Sequence, residues 1–187
     1  MNIFCKENQK SHNLEELQVL LGRVLGEQIP VVVCIGTDAV VGDSLGPLVG
    51  SMLKDRLKGK TYVFGTVESP ITAKEVPFVA DFVKNAYPDV PVLAIDAALG
   101  SSEEIGSIKI TKCPIKPGLG VDKNLGEIGT ASIIGVVEEK QKGKHFLNSV
   151  RLSIVYKQAI IIATAIERYI NNCTFLDERS FNKKQII

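Results

Sequence analysis

Along HNLEELQVLLGRVL, the residues Leu14, Leu17, Leu20, Leu21 and Leu25 recur at the spacing of one helical face, and Asn13 stands where it can cap the first turn. That pattern predicts an amphipathic helix. IPVVVCIG, Ile29 to Gly36, is a short β-branched apolar run closed by glycine, the profile of a strand buried on both faces of a parallel sheet. From about Ser44, SLGPLVGSMLKDRLKG turns Leu45, Leu48, Val49, Met52 and Leu53 to one side and stops at Gly59, so a second helix is expected. Pro47 fits it because a first turn needs no N–H at that position. TYVFGTV then predicts a strand, KEVPFVADFVKNAY a helix, and PVLAIDAALG a strand whose carboxyl end carries Asp96. GSIKITK and TASIIGVVE read as further strands. SVRLSIVYKQAIIIATAIERYI predicts a long closing helix with Leu152, Val155, Ala159, Ile162 and Ile166 on its apolar side, and the polar stretch LDERSFNKKQII is expected to fray.

Strands that alternate with helices predict an α/β fold, a three-layer α/β/α sandwich with a mostly parallel sheet. No internal repeat, low-complexity block or linker divides the chain, and 187 residues with 45% hydrophobic content suffice for one well-buried core. A single domain over 1–187 is expected, with its core at about 13–172 and a polar tail at about 173–187. Net charge is +1, from 22 basic and 21 acidic residues, so no global field draws the chain to nucleic acid or to a membrane surface. The amino-terminal stretch turns polar after four residues, and no apolar run approaches a membrane span. A soluble, cytoplasmic protein is the expectation. Cys5, Cys34, Cys113 and Cys173 lie far apart with no CxxC or Cys/His cluster; this argues against zinc and a redox dithiol, and free thiols are expected.

In parallel α/β sheets, ligands gather in the crevice beyond the carboxyl ends of the strands. Two loops qualify here: GTDAVVGDS, with Asp38 and Asp43, and IDAALGSS, with Asp96. If the strands containing Val33 and Leu93 are neighbours, Asp43 and Asp96 meet across that crevice. Facing carboxylates repel, so one holds a proton while the other stays ionised, and such a pair can serve as general acid and general base. A structural reading stands beside this one. Asp43 precedes Ser44 and a helix, where aspartate is a common N-cap, and Asp96 could cap a turn after its strand. Asp96 is the harder to explain structurally, because a carboxylate closing the apolar run VLAI is costly without a partner.

A glycine-rich loop, CPIKPGLGVDKNLGEIGTAS from Cys113 to Ser132, has no periodicity. Loops of that length within a compact domain are usually functional. It reads either as a solvated surface loop or as a substrate cradle whose backbone amides, with Lys123, face the carboxylates. Asp38, Gly118, Gly120 and Lys123 are the expected substrate-binding positions. Other chemistries lack their residues. Neither a G-x-G-x-x-G nor a Walker G-x-x-x-x-G-K-[ST] motif accompanies GTDAVVG, no G-x-S-x-G elbow is present, and neither His12 nor His145 adjoins a serine motif. No cofactor and no metal are expected.

CIGTDAVVGDSLGP resembles the aspartate loop of the spore germination protease and, more loosely, that of hydrogenase maturation endopeptidases. VLAIDAALG and PGLGVDKNLGEIG resemble the next two blocks of the germination protease in the same order. The nearest resemblance is to the YyaC-type sporulation family, regarded as candidate spore proteases, and it covers most of Val31 to Ile170. It implies a phosphorylase/hydrolase-like α/β/α fold and peptide-bond hydrolysis, with Asp43 and Asp96 at the positions of the germination protease's catalytic aspartates. It also implies a sporulating cell or spore interior, with small acid-soluble spore proteins as substrates. The hydrogenase endopeptidases add a histidine from a later loop to complete a metal site. The Cys113 to Ser132 loop has none, so a metal-dependent mechanism is disfavoured. The competing expectation is a non-catalytic peptide-binding or regulatory protein on the same scaffold. Homo-oligomerisation stays open, through the apolar face of the closing helix.

Overall fold

The computed structural model describes residues 9–117, 126–140 and 150–184, with side chains described as far as Thr174. The elements are β1 (Gln9–Ser11), α1 (Leu14–Leu25), β2 (Val31–Cys34), α2 (Leu45–Leu57), β3 (Val63–Phe64), α3 (Val76–Ala86), β4 (Val92–Gly100), β5 (Ile108–Thr111), β6 (Ala131–Glu139) and α4 (Leu152–Lys184). Short 3-10 turns occupy Val41–Asp43 and Ser102–Glu104.

The strands form one six-stranded sheet in the order β1-β5-β6-β4-β2-β3. β3, β2, β4 and β6 are mutually parallel, β5 is antiparallel to β6, and β1 is antiparallel to β5. Period-two alternation sends Val32, Cys34, Leu93, Ile95 and Ile133 into a large core with the apolar sides of α1, α2 and α4. Val31, Val33, Ile35, Val92 and Ala94 face the other way, into a smaller core with Val76 and Val83 of α3. This is the three-layer α/β/α sandwich that the alternation of patterns predicts.

Local chemistry accounts for the element ends. The Asn13 side-chain oxygen accepts from the Glu16 N–H at 2.9 Å, satisfying one of the free donors at the start of α1. Leu17, Leu20, Leu21 and Leu25 of the predicted face are buried. α2 stops where Lys58 enters the left-handed region at φ 48°. Tyr169 of α4 donates its hydroxyl to the Gly26 and Gln28 carbonyls at 3.1 and 2.8 Å, fastening the turn between α1 and β2 to the last helix.

Four sequence expectations need correction. The strand expected from TYVFGTV is only two residues long, because the chain leaves the sheet at Gly65 into a turn closed by the Thr66 N–H on the Ser69 carbonyl. β1, which pairs with the outer edge of β5, is too short and polar to show in the pattern. The polar carboxyl-terminal stretch does not fray at Leu176: α4 continues to Lys184. Cys34 and Cys173 are buried free thiols as expected, but Cys113 is disulfide-bonded. Cys5 lies outside the described residues. Among the described residues no helix is long and apolar enough to cross a membrane.

Candidate active site

The connection after β2 leads through α2 to β3 on one side, whereas the chain leaving β4 continues to β5 and β6 on the other. β2 and β4 are adjacent and parallel, with Val33 opposite Ala94 and Cys34 opposite Ile95. Their carboxyl ends therefore mark the topological switch point, where neighbouring connections diverge and open a crevice. Asp43 lies on the loop that follows β2, and Asp96 lies on β4.

Asp96 is not at the end of its strand, as the sequence suggested, but in the middle of it. β4 runs on to Gly100 along β6, while its pairing with β2 stops at Ile95. The Ile35 N–H makes a last bond to the Ile95 carbonyl at 2.8 Å, and β2 then turns away. Among the described residues Asp96 thus occupies the first position on β4 with no strand on its β2 side. Its alternation with Val92 and Ala94 aims it to the α3 side of the sheet. The carboxylate accepts from the neighbouring Ala97 N–H at 2.8 Å.

Asp43 ends the 3-10 turn that enters α2. It is not the helix cap that the structural reading allowed: Ser44 holds that position, and the Ser44 hydroxyl donates instead to the Val41 carbonyl at 2.7 Å. The Asp43 carbonyl accepts from the Thr37 N–H at 3.1 Å, closing the loop on itself. Two glycines permit this compact path. At Gly36 φ is 134°, and a Cβ there would lie 2.0 Å from the Asp43 carbonyl oxygen. A Cβ at Gly46 would lie 2.1 Å from the Ile35 carbonyl oxygen, so any side chain would lift the start of α2 off β2.

The electrostatics follow from this placement. Burial pushes the Asp96 carboxyl up to about 8, and the nearby charge of Asp43 pushes in the same direction, against the hydrogen bond from Ala97. Asp43 is raised less, to about 6, by burial offset by the Thr37 backbone N–H. Taken as whole residues, Asp43 and Asp96 are each half-buried. Near neutral pH the pair is therefore split, with Asp43 ionised and Asp96 protonated. Such a split lets one carboxyl group accept a proton while the other donates one.

The remaining expected positions fare differently. Asp38 is exposed at the tip of the same loop, beyond the Asp43 turn. Gly118, Gly120 and Lys123 lie outside the described residues, although the flanks of their loop are joined by reciprocal bonds between Ile115 and Ile128. Sequence reasoning missed the Thr37 and Ala97 amides, which reach the carboxylates through backbone atoms and leave no trace in residue type. On the far side of β6, Lys109 stands opposite Ile134, itself opposite Asp96, two strand spacings away. Lys109 is already engaged by Glu104 at 3.0 Å. Among the described residues no three His, Cys, Asp or Glu side chains gather as a metal site. A cavity of about 270 Å³ at the amino ends of β4 and β6, lined by Leu25, Pro91, Lys112 and Thr130, lies at the opposite end of the strands from the carboxylates.

Fold and site together define an α/β/α protein with a carboxylate pair at the switch point of its sheet. Residues 3–165 match the family described as "Protein of unknown function (DUF1256)", and the chain belongs to that family. It is 38% identical over 147 residues to "Uncharacterized protein YyaC" of Bacillus subtilis (strain 168), a match covering 78% of this chain and 71% of that one. The resemblance to YyaC-type proteins read from the sequence is thereby borne out. Among solved structures, the [NiFe] hydrogenase maturation protease HycI from Thermococcus kodakarensis KOD1 superimposes with a TM-score of 0.51 at 20% identity, over 81% of this chain and 99% of that one. That likeness establishes a shared fold.

Proposed function

We propose that the protein is a peptidase in which Asp43 and Asp96 act as a general base and general acid on a peptide bond. The observation that carries this reading is the split pair: two carboxylates, from the loop after β2 and from β4, both raised by burial, with Asp96 raised further by the charge of Asp43. Ionised Asp43 takes a proton from a water whose oxygen attacks the carbonyl carbon. Protonated Asp96 donates to the leaving amine as the C–N bond breaks, and the proton gained by Asp43 restores the pair by exchange with solvent. The name of HycI, a maturation protease on the same fold, favours a peptide substrate over other hydrolysable groups. The sporulation setting rests on the sequence resemblance, and with it the choice of small acid-soluble spore proteins and a cytoplasmic location.

Cleavage of a purified small acid-soluble spore protein tests the proposal, using the wild-type chain, Asp43→Asn and Asp96→Asn, each with and without chelator. Each substitution is expected to lower the rate by about 10²–10⁴-fold, the usual range for a lost general acid or base. The wild-type rate should be bell-shaped in pH, with limbs near 6 and 8. The optimum is thus expected near neutrality. Loss of activity with chelator would replace this mechanism with a metal-dependent one on the same carboxylates. Absence of cleavage by folded wild-type protein would favour the peptide-binding alternative.

A further inference from the structure

Beside the carboxylate crevice the sheet ends in an open edge fringed with aromatic rings. Among the described residues β3 is the outermost strand and is paired on one side only. The Val32 N–H donates to the Tyr62 carbonyl at 3.0 Å, and Val63 stands opposite Val32. Successive residues of a parallel strand bond to alternate sides. The N–H and C=O of Val63 therefore face outward, forming the kind of unpaired edge on which another strand can be added.

Rings from two elements line this edge. Tyr62 lies 6.5 Å from Phe64 and 5.1 Å from Tyr87, while Phe82 lies 5.8 Å from Phe64 and 6.2 Å from Tyr87, all measured between centroids. Phe78 precedes Phe82 by one helical turn on α3 and shares its face. Phe78, Tyr62 and Phe82 are 78%, 61% and 51% exposed, which is unusual for residues of this kind lying together. α3 leads from the carboxyl end of β3 to the amino end of β4. The stripe consequently runs from Tyr62 and Tyr87 up to Phe78, toward the end of the sheet that holds Asp43 and Asp96. Phe64 packs on the same core layer as Ala94, so the rings and Asp96 share one side of the sheet.

We propose that this edge holds the substrate as an added β-strand, an extended peptide whose bulky apolar side chains, at alternate positions, seat on Tyr62, Phe64, Phe78, Phe82 and Tyr87. The proposal rests on the peptidase reading and names the substrate class for that site. Unpaired backbone groups beside an aromatic surface select an extended chain, because main-chain bonds supply affinity and alternate side chains supply specificity. The area argues against a second copy of the protein. With about 150–250 Å² per aromatic side chain, the exposed fractions leave roughly 400 Å² open, whereas a stable protein interface needs about 800 Å² per partner. Phe64 lies two strand spacings across the sheet from β4 and two residues short of Asp96 along it. A strand added outside β3 lies one spacing further out, roughly 16 Å from Asp96, so the bound chain turns across the carboxyl ends of β3 and β2 and about five extended residues separate its apolar anchor from the bond that is cut.

The test uses a fluorescein-labelled twelve-residue peptide in which phenylalanine and leucine alternate with threonine and lysine, and an analogue N-methylated at every second amide. Binding is read by fluorescence anisotropy on the full chain carrying Asp96→Asn, so that no cleavage intervenes. The first peptide should bind. The N-methylated analogue, and a further variant carrying Phe78→Ser and Phe82→Ser, should each weaken binding by about tenfold or more. Equal binding by the analogue would overturn the added strand, even if the serine variant failed to fold. Equal binding by a folded serine variant would overturn the aromatic seat. A wild-type dimer that binds no peptide, and that the serine substitutions convert to monomer, would assign the edge to a second copy instead. Binding by the wild-type chain without cleavage of a spore protein would leave this inference standing and remove the peptidase reading.

Discussion

At the residue scale, Asp96 decides most of the site's behaviour. An aspartate held in the middle of an otherwise apolar strand keeps its charge only at a desolvation cost, and the charge of Asp43 adds to that cost against the hydrogen bond from the Ala97 N–H. Because its folded pKa is raised, the folded state binds more protons than the unfolded chain between about pH 4 and pH 8. Stability from this group is therefore fully present below the unfolded carboxylate pKa and is lost as pH rises toward 8. Asp43 acts in the same direction over a narrower window, up to about 6. Asp96→Asn should accordingly stabilise the protein by about 2–4 kcal/mol at pH 8 and by almost nothing near pH 4. Urea midpoints of both forms at the two pH values measure this, and a difference independent of pH would contradict it. The same substitution is expected to lower the cleavage rate by about 10²–10⁴-fold, so stability and activity are opposed at this one position.

At the scale of elements, the site depends on how closely α2 is pressed onto the end of β2. Gly46 admits the Ile35 carbonyl where a side chain would stand, and the Asp43 turn is the segment that enters this helix. Gly46→Ala, harmless or favourable in an exposed helix, should here cost about 2–3 kcal/mol by overpacking. It should also lower the cleavage rate through displacement of Asp43. Gly22→Ala in α1 is the matched control: its Cβ meets nothing within 4 Å, so stability should rise slightly. Thermal unfolding of the two variants separates close packing from helix propensity, and equal effects would refute the packing argument.

At the scale of the molecule, the two faces of the sheet are unequally covered. α1, α2 and α4 share the large core on one side, whereas α3 is the helix of the smaller core on the other, with its two rings, Phe78 and Phe82, open to solvent. Regions with few buried contacts open at lower free energy than the global transition. Hydrogen exchange followed by mass spectrometry should therefore show α3 and β3 exchanging well before β2, β4 and α2. Uniform protection across both layers would show that the sandwich opens as one unit. An early-opening α3 would also fit a surface that adjusts to a bound chain.

The pattern of apolar positions was enough to give the α/β/α class, the capped first helix and the order of the central elements, because burial on two faces and on one face leave different periods in a sequence. It also marked Asp43 and Asp96, since a carboxylate beside an apolar run conflicts with its surroundings and stands out without coordinates. Only the tertiary structure decided that β2 and β4 are neighbours, that Asp43 caps nothing, and that Asp96 sits where the β2 ladder ends. The same holds for β1, the shortness of β3 and the disulfide state of Cys113. Those features arise from pairings between distant segments and from backbone groups common to every residue. A local sequence carries the period of its own burial; it does not carry the identity of what will lie against it.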